Sequence, residues 1–210
     1  MAGKHFCVSF ADSRDAKTCL EIGQSVMWDN GAFTTYTSGK VFDYQAYYDW
    51  LQDKLGHPHW AVIPDVIGGD EKQNKEFLNT WPYSNYFGVP VWHLHLSLDY
   101  LIYLCENYPK VCFGSSAQYW QVGSRSWEER VNDAFNMLDK KFKTLPWIHM
   151  LRGLNMTGKH YPFASADSVN VSRNYKSSKR CPEKMAREID SVQCPIRWNE
   201  IKTKQLNLYE

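Results

Sequence analysis

Short apolar runs alternate with longer amphipathic stretches over the first 167 residues, and this alternation limits the fold more than any other feature of the sequence. The runs are mostly continuous, which is typical of parallel strands covered on both faces. They lie at 5–10, 25–28, 60–64, 89–95, 110–114, 147–151 and 163–167. Strands that alternate with helices predict an α/β fold with a parallel sheet. Seven strands in so short a chain favour a compact (β/α) TIM-like barrel, complete or incomplete, over a doubly wound sheet.

Helical periodicity occurs at 42–55, 97–108 and 126–142. In the last stretch Ser126 stands three residues before Glu129, which predicts a capping box at the start of that helix. A further helix is expected near 182–191, with irregular structure around it. We therefore expect one barrel domain, 1–175, and a C-terminal extension, 176–210, that packs on the barrel and is not an independent domain.

Overall charge and composition leave two questions open. The net charge of +1 does not by itself indicate a nucleic-acid partner, although one run is basic. That run contains Arg173, Lys176, Lys179, Arg180 and Lys184. It is either a phosphate-facing patch or a solvated loop. The 9 Trp, 13 Tyr and 10 Phe either build a thick core or offer flat surfaces that stack on bases or sugars.

The six cysteines form no CxxC pair and have no zinc-finger spacing, which predicts reduced thiols and no metal site. The sequence contains no signal-peptide pattern and no apolar run of membrane-spanning length. We therefore expect a soluble cytoplasmic protein with no cofactor and no membrane partner.

Acidic residues follow three of the predicted strands. Asp29, Asp65 and Asp167 each come directly after an apolar run, and His93 lies near the end of a fourth. In a parallel α/β barrel the chemistry collects at these carboxyl ends. A single Asp in such a place is as well explained by a helix cap or a turn, but three together favour a site. Two carboxylates suit retaining glycosyl transfer, and a third suits recognition of a purine edge, with Phe33 stacking on the base.

Five motifs in this order resemble the tRNA-guanine transglycosylase superfamily. They are WDNGAF (28–33), IPDV (63–66), VCFGSS (111–116), HMLRG (149–153) and ADSVNVSRN (166–174). The motifs and their order are most similar to those of the short DNA-acting relatives found in phages and bacterial genomic islands. The resemblance implies a (β/α)-barrel enzyme that exchanges guanine for a 7-deazaguanine in nucleic acid. It also implies that the protein is located in the cytoplasm of a bacterial or phage-infected host cell.

The resemblance implies roles for individual residues. Asp167 matches the family's nucleophile, and Asp29 matches the aspartate that handles protons. Phe33 matches an aromatic that sandwiches the base, and Asp65 matches the aspartate that reads the donor edge of guanine. Gly114 matches a glycine whose backbone lies against the base.

Further positions are implied to contact the substrate. His93 falls near a base-contacting glutamine of the family. Ser168 is expected to hydrogen-bond to Asp167 in the substrate site, together with Asn170. Arg173 resembles an arginine that contacts the nucleic-acid backbone, and the rest of the basic run is expected to extend that contact: Lys176, Lys179 and Arg180.

The sequence also departs from the tRNA-acting enzymes, which carry a Cys/Cys/Cys/His zinc site after the nucleophile. Here only Cys181 and Cys194 follow Asp167, with no histidine after them. The chain is also much shorter than those enzymes, and both differences favour DNA over tRNA as the substrate. Two alternatives remain. One is a nucleic-acid or nucleoside N-glycosidase that uses water as the acceptor, and the other is a non-catalytic nucleic-acid-binding accessory subunit.

Overall fold

The computed structural model describes residues 1–176 and 181–199. Within these residues the predicted α/β class is confirmed: eight strands form two four-stranded parallel sheets, and eight α-helices accompany them. The strands are β1 (His5–Ser9), β2 (Ser25–Asp29), β3 (Trp60–Val62), β4 (Gly88–Val89), β5 (Val91–His93), β6 (Lys110–Gly114), β7 (Trp147–Met150) and β8 (Ser165–Ala166). The helices are α1 (Ala16–Ile22), α2 (Ala32–Thr37), α3 (Tyr44–Leu51), α4 (Glu71–Thr80), α5 (Leu98–Asn107), α6 (Arg125–Lys141), α7 (Asn170–Asn174) and α8 (Pro182–Asp190).

Each apolar run that was predicted to be a strand contains one. The run at 89–95 forms two strands, β4 and β5, because Pro90 between them has no N–H to donate to a ladder. The helices predicted at the four helical stretches are confirmed as α3, α5, α6 and α8. The prediction of a capping box that begins at Ser126 is wrong. Helix α6 begins earlier, and Ser124 is its N-cap, with Oγ accepting a hydrogen bond from the N–H of Trp127.

Strand order in space follows strand order in the sequence. One sheet has the order β1-β2-β3-β4 and the other β5-β6-β7-β8, and every neighbouring pair is parallel. Pro90 joins the two sheets, and its carbonyl oxygen accepts a hydrogen bond from the N–H of Cys112 on β6 at 2.8 Å. Because all the strands run in one direction, their carboxyl ends lie along the same edge, and the residues that follow them share that edge.

Side chains alternate between two cores along the strands. Trp28 of β2 and Ala61 of β3 face the larger core, which the sheets share with the helices. The opposite faces of both sheets contribute to a smaller core, whose buried members are Met27, Trp60, Val62, Val89, Val91 and Cys112. Trp60 of β3 also contacts Trp147 of β7, with ring centroids 5.6 Å apart. The inner faces of the two sheets therefore approach each other.

The described C-terminal residues pack against the rest of the chain. Trp198 is buried, stacks on Phe135 of α6 with a centroid distance of 5.2 Å, and donates its indole N–H to Asn136. Asp190, the last residue of α8, forms an ion pair with Lys4. Among the residues described here, no helix has both the length and the apolar character needed to cross a bilayer.

Candidate active site

The carboxyl edge of the sheets carries most of the residues that the sequence singles out. Asp29 is the last residue of β2, and Asp167 directly follows β8. Asp65 lies three residues beyond β3, while His93 and Gly114 end β5 and β6 and are paired with each other in the ladder. The structure therefore brings these five positions to one end of the parallel strands.

Asp29 is half-buried in the turn between β2 and α2, where its Oδ2 accepts a hydrogen bond from the N–H of Gly31 at 3.1 Å. Burial is the main cause that raises its pKa from 3.8 to about 6. Hydrogen bonds from Ser9 and Gly31 lower that pKa, whereas the negative charges of Asp167 and Asp65 raise it further. The charges of the other two carboxylates therefore act on Asp29, which can gain or lose a proton near neutral pH.

The same three acids affect the pKa of a thiol in the smaller core. Cys112 on β6 is fully buried, and this burial raises the pKa of its thiol well above the ordinary value. The charges of Asp167, Asp65 and Asp29 raise it further, in that order. The charges of all three carboxylates therefore reach this thiol on β6.

Asp65 is held by two donors. Its Oδ1 accepts a hydrogen bond from Asn30 Nδ2, and its Oδ2 is bonded to His93 Nε2, both at 2.7 Å. The side chains of Asp65 and His93 are only 9% and 5% exposed, so this contact is shielded from water. His93 was predicted to contact a base, but in this structure its Nε2 is bonded to Asp65.

The space around the other ring nitrogen of His93 is narrow. His93 Nδ1 is buried and has no hydrogen-bond partner within the described residues. A Cβ at Gly114 would lie 2.9 Å from this nitrogen and 2.8 Å from a methyl group of Val91. Glycine therefore fits at this strand end because a side chain there would collide with Val91 and His93.

Within the described residues, the two hydrogen bonds to the Asp167 carboxylate fall on one oxygen. Its Oδ1 accepts from the backbone N–H of Arg152 at 2.8 Å and from His149 Nε2 at 3.3 Å. Ser168, Asn170 and the backbone N–H groups of their turn were predicted to be the donors, but the bonds in the described residues come from His149 and Arg152, and the hydroxyl of Ser168 accepts from the N–H of Asn170. Two N–H donors on one oxygen suit a carboxylate that reacts through the other.

Arg152 begins the basic stretch 152–160, for which the sequence allows phosphate contacts but favours an ordinary exposed loop. Its backbone has φ of +57°, a conformation that residues other than glycine seldom adopt. Its guanidinium donates to the carbonyl oxygen of Ser115 at 2.9 Å and lies 4.5 Å from the ring centroid of Phe33. Phe33, on α2, is 48% exposed, so this pair forms part of the rim of the site. The position of Arg152, two residues beyond the end of β7, is the signal that would have indicated its place in the site.

A cavity of about 780 Å³ adjoins Asp167. It lies between the loop that follows β7, the turn that follows β8, and helix α8. Its walls include Arg152, Ser168, Asn170, Lys184, Met185 and Ile189. The cavity wall thus combines two cations, Arg152 and Lys184, with one anion, Glu188, and with several polar and apolar side chains.

The described part of the basic run lies just beyond Asp167. Arg173, on α7, is exposed, and so is Lys176, whose ammonium lies 5.6 Å from the ring centroid of Tyr175. The predicted nucleic-acid-binding residues Lys179 and Arg180 lie outside the described residues.

The parts of the chain that the structure describes contain no group of three His, Cys, Asp or Glu side chains placed to hold a metal ion. Comparison with protein-family models, with curated proteins and with solved structures gives no match to this chain. The interpretation of the site therefore depends on its own residues and their geometry.

Proposed function

We propose that this protein is a base-exchange glycosyltransferase that replaces guanine in nucleic acid with a 7-deazaguanine through a covalent aspartyl–nucleotide intermediate. The observation that carries the proposal is the placement of three carboxylates, Asp29, Asp65 and Asp167, at the carboxyl ends of β2, β3 and β8, where the charges of Asp65 and Asp167 act on Asp29. We further propose that the two sheets form one incomplete (β/α) barrel. The smaller core, to which both sheets contribute, and the contact between Trp60 and Trp147 support that arrangement.

In this proposal Asp167 attacks C1′ of the target nucleotide. A bond forms between Asp167 Oδ2 and C1′, and the bond from C1′ to N9 of guanine breaks, with its electron pair passing to the base. Both observed hydrogen bonds to this carboxylate fall on Oδ1, which leaves Oδ2 as the attacking atom. A covalent step of this kind divides one difficult displacement into two easier ones and retains the configuration at C1′.

Asp29 transfers the protons. In its protonated form it supplies a proton to the departing guanine, and the resulting carboxylate takes the N9 proton of the incoming 7-deazaguanine as that base attacks C1′. A group whose pKa is near the working pH is suited to both steps, and the pKa of Asp29 is about 6. The negative charge of Asp167 contributes to that value, so ester formation at Asp167 would lower the pKa of Asp29 and favour its ionised form, which is the form that accepts the proton in the second step.

The base would occupy the space between Phe33, Asp65 and Gly114. The half-exposed ring of Phe33 offers a stacking surface, and Gly114 at the end of β6 presents backbone without a side chain beside Asp65's partner His93. Each carboxylate oxygen has two lone pairs, so Asp65 can accept from a guanine edge while it keeps its bonds to Asn30 and His93. His93 then acts by fixing Asp65 rather than by touching the base.

The nucleic-acid strand would run from this pocket across the adjoining cavity. C1′ cannot be approached in a stacked duplex, so the target nucleotide must be extruded or single-stranded. The cations Arg152 and Lys184 in the cavity, with Arg173 on α7, suit contacts to phosphates. We favour DNA over tRNA because the residues after Asp167 do not have the Cys/His pattern of the tRNA-acting enzymes.

An exchange assay tests the proposal. The full chain is incubated with isotopically labelled guanine and, in separate reactions, with single-stranded DNA, double-stranded DNA and tRNA, and the recovered nucleosides are analysed by mass spectrometry. We expect label in deoxyguanosine, displacement of the label by 7-deazaguanines, and no incorporation by Asp167→Asn. Asp133→Asn, which changes an exposed carboxylate on α6, is the matched control and should retain full exchange.

Two results would contradict the proposal. Release of guanine without incorporation, leaving abasic sites, would indicate an N-glycosidase. Binding of nucleic acid without exchange or release would indicate an accessory subunit.

A further inference from the structure

His149 on β7 connects two residues of β8. Its Nδ1 lies 2.7 Å from the hydroxyl oxygen of Ser165, and its Nε2 lies 3.3 Å from Oδ1 of Asp167. The side chain is only 3% exposed, whereas that of Asp167 is 18% exposed. A buried imidazole therefore links a serine to the carboxylate that faces the site.

Strand register accounts for this arrangement. His149 and Ser165 are direct partners in the β7–β8 ladder. Residues two apart on a strand project from the same face, so Asp167 points to the same side as Ser165 and comes within reach of the imidazole. Aromatic contacts hold the ring: it stacks on Trp147 at an interplanar angle of 12°, and the edge of Trp60 lies against it with centroids 5.2 Å apart.

The hydrogen bonds determine where the imidazole proton lies. An ionised carboxylate can only accept, so the bond to Asp167 requires a proton on Nε2 of His149. In a neutral ring Nδ1 is then an acceptor, and the hydroxyl of Ser165 donates to it. The hydroxyl thus selects the tautomer that presents an N–H to Asp167. In a protonated ring Nε2–H is present in any case, and the hydroxyl accepts instead.

We propose that His149 is a positioning residue for Asp167 and that Ser165 sets its tautomer. This inference rests on the base-exchange function proposed above. His149 Nε2–H and the N–H of Arg152 bind Oδ1, which fixes the rotation of the carboxylate and directs Oδ2 toward C1′. After attack, Oδ1 is the carbonyl oxygen of the ester. When the incoming base breaks the Oδ2–C1′ bond, the electron pair returns to the carboxylate, and the two N–H groups stabilise the charge that develops on it.

Variants at His149 separate positioning from packing. His149→Leu removes the donor, and His149→Gln keeps an N–H of similar reach. We expect kcat for guanine exchange to fall about 10²-fold in the first and less than about 10-fold in the second, with the KM for the base nearly unchanged in both. Circular dichroism checks that each variant is folded. A folded His149→Leu variant with wild-type kcat, or equal losses in both variants, would overturn the proposal.

Ser165→Ala gives a readout that a packing role would not produce. Without the hydroxyl, the neutral ring is free to place its proton on Nδ1, and Nε2 then meets Asp167 without an N–H. A protonated ring carries an N–H on Nε2 whether or not the hydroxyl is present, so the ratio of variant to wild-type kcat should rise toward one as the pH is lowered. The ratio also cancels the titration of Asp29, which both enzymes share. A ratio that stays constant with pH would overturn the role of Ser165.

Several charged or titratable groups surround His149 in addition to Asp167. Cys112 is its ladder partner on β6, and the ammonium of Lys110 lies 5.7 and 5.3 Å from the centroids of the two tryptophan rings that hold the imidazole. Cys112→Ser and Lys110→Gln should therefore leave the direction of the Ser165→Ala pH effect unchanged. Reversal of that effect in either variant would show that the sensitivity arises from these neighbours.

The chain contains a matched control pair. His5 and Ser25 are ladder partners on β1 and β2, and His5 Nδ1 lies 2.6 Å from the hydroxyl oxygen of Ser25. Ser25→Ala removes the same type of bond away from the carboxyl edge and should leave kcat at every pH within about 2-fold of wild type. A pH effect equal to that of Ser165→Ala would show that the effect is not specific to Asp167.

A measurement without substrate separates this inference from the proposed function. Long-range ¹H–¹⁵N NMR spectra of histidine-labelled protein at pH 8 should show His149 with its proton on Nε2, and Ser165→Ala should shift it toward Nδ1. If His149 in the wild type carries its proton on Nδ1, the inference is wrong whatever the enzyme catalyses. If the tautomers are as expected but no nucleic acid is modified, the base-exchange function fails while the hydrogen-bond relay stands.

Discussion

Asp29→Asn should stabilise the folded protein at neutral pH while it slows the reaction. The pKa of Asp29 is raised from 3.8 to about 6, chiefly by burial and further by the charges of Asp167 and Asp65. The folded chain therefore binds this proton more tightly than the unfolded chain does. Stability is lost as the pH rises from about 4 to about 6, because the buried group must ionise, and it stays lower above that range.

The size of the effect follows from the pKa change. Each pKa unit corresponds to about 1.4 kcal/mol. Compared with a protein in which this group stays neutral, the ionisation of Asp29 lowers the free energy of unfolding by about 3 kcal/mol at pH 7.5 and by only about 1 kcal/mol at pH 4.5. Asparagine has nearly the same shape, stays neutral, and keeps an oxygen that can accept the bond from Gly31. The stability advantage of the variant should therefore grow by about 2 kcal/mol between these two pH values.

Urea unfolding followed by tryptophan fluorescence at pH 4.5, 5.5, 6.5 and 7.5 measures this difference. The exposed-carboxylate control Asp133→Asn should change the free energy of unfolding by less than about 0.5 kcal/mol at each pH. An advantage of Asp29→Asn that does not change with pH would refute the reasoning. So would a variant that is less stable than the wild type at pH 7.5.

Three further substitutions test the geometry of the site. Asp167→Asn should lower the pKa of Asp29 below about 6, because the substitution removes one of the charges that raise it. An NMR titration of the Asp29 carboxyl group measures this pKa, and an unchanged value would mean that the two groups do not interact. Asp65→Ala should lower the free energy of unfolding by about 3 kcal/mol, since it leaves His93 Nε2 buried without its acceptor, and a loss under about 1 kcal/mol in urea would contradict this. Gly114→Ala should cost about 1–3 kcal/mol because its Cβ would lie 2.9 Å from His93 Nδ1, and an unchanged Tm would show that the strand end yields without strain.

The sequence predicted the strands well because each is a continuous apolar run that ends in a polar residue. That pattern also identified the edge on which Asp29, Asp65 and Asp167 lie, since parallel strands present their carboxyl ends together. The start of α6 was less certain from sequence alone, because Ser124 and Ser126 are both competent caps and only the backbone geometry decides between them. Helices as short as α2 and α7 have too few turns to show a period.

The contacts made by His149 and Arg152 could not be read from the sequence. His149 reaches Asp167 only because the β7–β8 register places it opposite Ser165. Arg152 presents its N–H to Asp167 and its guanidinium to Phe33 only because its backbone has a positive φ, which a motif does not reveal. Sequence reasoning instead chose Ser168 as a donor, since it is adjacent in the chain, although its hydroxyl caps the next turn.

The most direct test of the base-exchange mechanism is to trap the enzyme on its substrate. The full chain is mixed with a guanine-containing DNA oligonucleotide, guanine deaminase removes the released base so that the intermediate accumulates, and the denatured protein is analysed by intact mass and peptide mapping. We predict an added mass equal to the oligonucleotide without its guanine, attached at Asp167 and missing from Asp167→Asn. Attachment at another residue, or guanine exchange by the Asp167→Asn variant, would contradict the mechanism.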